Sequence, residues 1–64
     1  MPDDLALVLK KNKPAADFFA GLSFTNRKEY VEWVVSAKQD TTRKNRVEGS
    51  FERLIMGWKN PRNL

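Results

Sequence analysis

Apolar residues along this chain recur at helical spacing, and no segment alternates apolar and polar residues in the manner of a strand. The pattern predicts four helical segments. The first runs from about Asp3 to Lys11, with acidic residues at its start and basic residues at its end, as the helix dipole favours. The second starts at Pro14, which suits a first helical turn, and is ended by Gly21 and Ser23.

The third predicted helix, from about Phe24 to Lys38, has the clearest amphipathic pattern, and Ser23 is placed to cap its start. At about 100° per residue, one broad arc of this segment is apolar and the opposite arc is polar. The apolar arc consists of Tyr30, Val31, Trp33, Val34, Val35 and Ala37.

The fourth predicted helix runs from about Thr42 to Met56, with Asp40 or Thr41 as its N-cap. Gly57 is expected to terminate it. Gly49 lies inside this helix, where it either permits a close helix crossing or is simply tolerated. The residues from about position 59 onward are predicted to form a frayed tail.

Together these segments predict an all-α fold, a small single-domain bundle of three to four helices covering residues 1–64. Short connections favour roughly antiparallel neighbours. The large apolar residues of the stripes are expected to meet in one core. This expected core consists of Phe18, Leu22, Tyr30, Val34, Phe51, Leu54 and Trp58.

Composition argues against most catalytic chemistry. The chain has no cysteine and no histidine, which excludes disulfides and a Cys/His zinc site, and its three glycines are isolated from one another. We therefore predict no enzyme activity, no catalytic residue, no metal and no cofactor. The longest apolar run, from Leu5 to Leu9, is too short to span a bilayer. These features predict a cytoplasmic monomer without membrane insertion.

The basic residues suggest one candidate binding site. The net charge is +4, and Arg43, Arg46 and Arg53 cluster along one border of the fourth helix's apolar stripe. Lys38 and Thr42 lie just upstream, so the set could bind an anion or an acidic partner.

The alternative is a structural role for the same side chains. Lys38 would then bind carbonyl groups at the end of the third helix, and Arg43 or Arg46 would pair with a carboxylate. The carboxylates within reach in the sequence are those of Glu29, Glu32 and Asp40. We interpret Arg43 as structural and Arg46 and Arg53 as site residues, because Arg43 is placed nearer the apolar stripe.

The two tryptophans invite a stacking interpretation, since aromatic rings bind the bases of single-stranded nucleic acid. In so small a domain, however, large aromatic side chains are first expected in the core. We assign Trp58 to the core. Trp33 lies at the edge of its arc and is a candidate aromatic contact for a ligand.

The chain resembles a bacterial family, the YdeI/OmpD-associated or bacteriocin-protection proteins. The resemblance rests on Arg27-Lys28 followed by Tyr30-x-x-Trp33-Val34, then Ala37-Lys38, Thr42-Arg43 and Arg46-Val47. It covers about Pro2 to Gly57. Phe24 stands where the family often has proline, and Thr41 where an acidic residue is frequent.

The resemblance implies an association with bacteriocin resistance and an outer-membrane porin, and it carries over no catalytic residue. We therefore expect a non-enzymatic interaction module that binds a protein partner and is linked to bacteriocin protection or a stress response. The alternative is binding of a nucleic acid or another anion through the basic helix border.

Overall fold

The computed structural model describes residues 2–62, and this part of the chain forms helices and no strand. The helices are α1, Asp3–Lys11; α2, Lys13–Ala20; α3, Phe24–Val35; and α4, Asp40–Ile55. Helix α4 contacts each of the other three, and α1 also packs on α2. The prediction of a small all-α fold is confirmed.

The starts of α1 to α3 follow from local chemistry. Helix α1 has its predicted bounds, with aspartates in its first turn and lysines in its last. Helix α2 begins at Lys13, so that Pro14 lies in its first turn. At α3 the predicted cap is confirmed, because the backbone N–H of Asn26 donates to the Ser23 hydroxyl at 3.2 Å.

Helix α3 is shorter than the sequence predicts. It ends at Val35, with Ser36 as its C-cap, rather than continuing to Lys38. The carbonyl of Trp33 in the last turn is bound by two side chains, the hydroxyl of Ser36 at 3.2 Å and the guanidinium of Arg46 at 2.8 Å. These side-chain donors satisfy a carbonyl that would otherwise need water or a further helical turn.

The predicted capping of α4 by Asp40 or Thr41 is wrong. The N-cap is Gln39, which has an extended backbone and makes no side-chain capping hydrogen bond. The helix therefore starts at Asp40, about two residues earlier than the sequence predicts. In this position the Asp40 carboxylate lies in the first turn and still opposes the positive end of the helix dipole.

The end of α4 confirms the role predicted for Gly57. This residue has a φ of +84°, a conformation that costs glycine little and other residues more. Its N–H donates to the Leu54 carbonyl at 3.1 Å, and the N–H of Trp58 donates to the Arg53 carbonyl at 2.9 Å. This pair of bonds is the Schellman arrangement, and it turns the chain back along α4.

The core differs from the predicted cluster in several members. Tyr30, Val34 and Leu54 are buried as expected. Phe18, Leu22 and Phe51 are only partly buried against the core, and Trp58 is half-buried outside it. The other buried apolar residues are Leu5, Leu9, Ala15, Phe19 and Val47. Phe19 rather than Phe18 faces inward. Its ring packs edge-on against the ring of Tyr30, with the two ring centroids 6.2 Å apart.

The segment after α4 folds back onto the helices. The sequence predicts fraying from about residue 59, and the structure describes internal contacts for residues 60–62. Asn60 is buried, its side chain accepts from the N–H of Arg62, and the carbonyl of Pro61 accepts from Arg53. The rest of the predicted tail, residues 63 and 64, lies outside the described residues.

Candidate functional site

Arg43 joins α4 to α1. Its Nε donates to the Asp4 carboxylate at 2.8 Å, and its Nη2 reaches the other carboxylate oxygen at 3.3 Å. This hydrogen bond is the main reason that the pKa of Asp4 is lowered and that of Arg43 raised. Both side chains are partly exposed, so the pair fixes geometry more than it adds stability. A structural contact matches our interpretation of Arg43, but the partner is Asp4 rather than a carboxylate of the third or fourth helix.

Arg46 joins α4 to the end of α3. Its Nη1 donates to the Trp33 carbonyl at 2.8 Å and to the Ser36 hydroxyl at 3.0 Å. Its guanidinium also lies over the Trp33 ring, 5.7 Å from the ring centroid. Arg46 thus binds the helix-end carbonyl that the structural alternative assigned to Lys38.

Arg53 lies over both tryptophan rings. Its guanidinium carbon is 4.6 Å from the centroid of Trp33 and 5.4 Å from that of Trp58. Nη1 donates to the Gly49 carbonyl at 3.1 Å, and Nε donates to the Pro61 carbonyl at 3.2 Å. One cation therefore connects α3, α4 and the C-terminal segment, a role that the sequence pattern did not indicate.

Gly49 makes room for this arrangement. A Cβ atom at this position would lie 2.7 Å from Nη1 of Arg53 and 3.3 Å from the Trp33 ring. The first distance is too short for non-bonded atoms, so the guanidinium would have to move. The second contact is also tighter than usual and comes from α3, so the absence of a Cβ at Gly49 lets the Trp33 ring lie close to α4, as one of the two sequence interpretations proposed.

Tyr30 anchors the C-terminal segment from within the core. Its side chain is fully buried, and its hydroxyl donates to the Trp58 carbonyl at 2.5 Å. Burial raises the pKa of this phenol to about 12. The backbone of residue 58 is consequently held in place even though its indole lies outside the core.

The structure brings together some of the sequence-predicted set and separates others. Arg46, Arg53 and Trp33 form one stacked cluster, whereas Arg43 lies against α1. Lys38 is exposed beyond the end of α3 and forms no ion pair with any of residues 2–62, and Thr42 is half-buried. Whether any of them binds an anion or partner stays a prediction.

Two grooves lie beside these basic residues. The first, about 510 Å³, runs between α3 and the C-terminal segment, and Glu29, Glu32 and Trp33 line its α3 side. The second, about 680 Å³, lies between α1 and α4. The Arg43–Asp4 pair sits on its rim among charges of both signs. Neither groove presents one sign of charge to a ligand.

A third groove, which we call the α2–α3 groove, has a different character. It has a volume of about 470 Å³ and is lined by Phe19, Phe24, Arg27, Lys28 and Val31. Its apolar walls are joined by two cations and no carboxylate. Phe24 is the most exposed of the large apolar side chains described, with 72% of its surface open to solvent.

Arg27 in this groove differs from the other arginines discussed above. Its Nε is buried and has no hydrogen-bond acceptor among residues 2–62. A guanidinium stays charged, so the atom cannot avoid the lost hydrogen bond by releasing a proton. Neighbouring Lys28 pairs with Glu32 at 3.7 Å, but both side chains are more than half exposed.

Sequence reasoning missed this groove. Phe24 was noted as the start of the third predicted helix and as a departure from the family pattern, and Lys28 as part of the family motif. A signal was present: Phe24 and Val31 are seven residues apart, and Arg27 and Lys28 lie three and four residues after Phe24. This spacing places all four on neighbouring rows of one helix face.

No group of three or more acidic, cysteine or histidine side chains in residues 2–62 is placed to hold a metal ion. Over the same range, the helices are all too short or too polar to cross a membrane.

Comparison with known proteins gives one match. The profile of the OmdA family, described as "Bacteriocin-protection, YdeI or OmpD-Associated", matches residues 1–57. Searches of curated proteins and of solved structures found no match. The family profile covers most of the 64 residues, including all four helices and the α2–α3 groove. This chain belongs to the OmdA family of bacteriocin-protection, YdeI- or OmpD-associated proteins.

Proposed function

We propose that this chain is a non-enzymatic module that binds a partner protein through the α2–α3 groove, as part of bacteriocin protection. The observation that carries the proposal is Phe24, a large apolar side chain left 72% exposed at the edge of an apolar groove. Aromatic side chains beside a groove are frequent anchors of protein interfaces. The family description supports a protein partner, since it names an association with OmpD.

Phe24 is not needed to build the fold. On α3 the residues buried in the core are Tyr30 and Val34, and Phe24 is not among them. An exposed phenylalanine adds little to folding stability, and Phe24 extends the apolar surface of the groove walls, Phe19 and Val31. A continuous exposed apolar surface beside a groove is a feature of interaction sites. The α2–α3 groove provides the concave surface beside it.

Nucleic-acid binding through Arg43, Arg46 and Arg53 is less well supported. Each of these side chains already donates to acceptors within the chain. To bind a phosphate, each would have to exchange those contacts or use its remaining N–H groups. A salt titration with DNA and RNA tests the alternative, because phosphate contacts make affinity fall steeply with salt.

The test of the proposal is a photocrosslinking experiment with a matched control. A photoreactive phenylalanine is placed at position 24 or, as the control, at position 56 of the chain expressed in its native host. Met56 is also exposed, at 61%, but does not line the groove. We expect a protein to crosslink from position 24 and not from position 56.

The crosslinked protein is then purified and its Kd measured with three chains: wild type, Phe24→Ser and Met56→Ser. Loss of an interface anchor costs about 2 kcal/mol or more, so Phe24→Ser should weaken binding by about 30-fold. Met56→Ser should bind as the wild type does. Equal affinities for wild type and Phe24→Ser would contradict the proposal.

A further inference from the structure

We infer that the α2–α3 groove selects a partner segment in which apolar side chains are flanked by carboxylates. The inference rests on the proposed function and specifies the chemistry of its partner. Its basis is the juxtaposition of an open apolar surface at Phe24 with two cations, Arg27 and Lys28, in a groove that no carboxylate lines.

The size of the groove fits a short peptide segment. Its volume of about 470 Å³ lies within the range of about 300–1,000 Å³ found for ligand pockets. Phe19 and Val31 provide apolar walls, and Phe24 adds an exposed apolar side chain beside them. An apolar residue of the partner is therefore the anchor.

Arg27 determines the charge preference. Its Nε has no acceptor among the described residues, so turning the guanidinium toward an outside carboxylate breaks no hydrogen bond at that atom. Arg46 and Arg53, by contrast, already donate to carbonyls within the chain. Among these three arginines, Arg27 is therefore the one that can turn to an acid without exchanging an internal hydrogen bond at Nε.

Lys28 adds a second cation at low cost. Its pairing with Glu32 spans one helical turn at 3.7 Å between well-exposed side chains. Pairs of this kind contribute little and are screened by salt. Lys28 can therefore exchange Glu32 for a partner carboxylate, and the chain's net charge of +4 favours approach of an acidic segment.

The experiment uses three synthetic hexapeptides with the same Leu-Phe centre, flanked on each side by two glutamates, two glutamines or two lysines. Each is titrated into the isotope-labelled full chain, and amide NMR shifts are followed. We expect the glutamate peptide to shift the amides of residues 24–31 and to bind at least about fivefold more tightly than the glutamine peptide. The lysine peptide should bind most weakly.

Variants separate the apolar contribution from the charge. Arg27→Gln should reduce the affinity for the glutamate peptide toward that for the glutamine peptide and leave the latter unchanged. Lys44→Gln removes an exposed cation of α4 outside the groove. It should change the two affinities only by the small loss of long-range attraction that follows from removing any one positive charge. Phe24→Ser should abolish binding of all three peptides.

Each other outcome overturns the inference in a distinct way. Equal binding of the glutamate and glutamine peptides would refute the acidic preference but leave the groove as a protein-binding site. Absence of shifts at residues 24–31 with every peptide would refute the peptide class, while the crosslinking experiment still decides the proposed function. Shifts confined to residues 43–53 would contradict both and favour the basic border of α4.

Discussion

Truncation of Arg53 to alanine tests whether the stacked cluster holds the fold together. The change removes charge-assisted hydrogen bonds to the Gly49 and Pro61 carbonyls, at 3.1 and 3.2 Å, together with ring contacts to Trp33 and Trp58. A hydrogen bond to a charged group contributes about 1.5–3 kcal/mol, and a partly exposed cation–π contact about 0.5–1 kcal/mol.

These contributions do not add, because all of them depend on one side chain and water replaces part of what is lost. We expect Arg53→Ala to lower the free energy of unfolding by about 2 kcal/mol. A domain of this size has only about 3–5 kcal/mol in total. The Tm should fall by about 8–16 °C, at roughly 4–8 °C for each kcal/mol.

The assay is thermal unfolding followed by circular dichroism and tryptophan fluorescence. Arg53→Lys keeps the cation beside the rings but cannot donate to two carbonyls from a planar fork, so its Tm should lie between those of alanine and wild type. Arg62→Ala, which removes an exposed arginine, is the control and should melt as the wild type does. An Arg53→Ala chain that melts within about 2 °C of wild type would refute the structural role.

Further predictions concern pH and the core. Tyr30 is the only tyrosine, so phenolate absorbance reports its ionisation alone. Because its pKa is raised to about 12, Tyr30 should ionise about two pH units above a free phenol. Its contribution to the free energy of unfolding should be complete below pH 10 and disappear as the pH rises through 12. Ionisation near pH 10 in the folded chain would contradict the burial. Because the pKa of Asp4 is lowered, its ionised carboxylate stabilises the fold at pH values above 3.8, the ordinary pKa of this group. That stabilisation is lost as the pH falls through the lowered pKa. The Tm difference between Asp4→Asn and wild type should therefore be present at about pH 7 and shrink as the pH falls below 3.8, and a difference independent of pH would exclude the pairing with Arg43. Leu54→Ala should cost about 2–5 kcal/mol, enough to unfold much of the chain at room temperature, and a wild-type urea midpoint would show that Leu54 is not core.

The sequence predicted the features of the fold that depend on neighbouring residues. The bounds of α1, the Ser23 cap and the Gly57 terminator each follow from a short motif whose chemistry acts within one turn. The predicted end of α3 was wrong because the observed end depends on Arg46, ten residues after the Ser36 cap, which binds the Trp33 carbonyl in the last turn. Contacts at such separations leave no periodic signal.

The candidate site was harder to predict for the same reason. Charge and periodicity located the arginines of α4, but not their acceptors: Asp4 lies 39 residues away from Arg43, and Pro61 lies in a segment predicted to fray. The α2–α3 groove depends on how two helices meet, so its existence could not be read from either helix alone. The Phe24–Val31 spacing on α3 was the part of it visible in the sequence.

The most direct test of the central claim is survival of the native host, with and without this chain, when it is challenged with a bacteriocin. A strain lacking the chain is complemented with wild type, Phe24→Ser or Met56→Ser, at matched expression and with folding checked by circular dichroism. We predict that Phe24→Ser restores no survival, whereas the wild type and Met56→Ser, which changes an exposed residue outside the groove, restore it fully. Full protection by Phe24→Ser would contradict the claim that the chain acts through the α2–α3 groove.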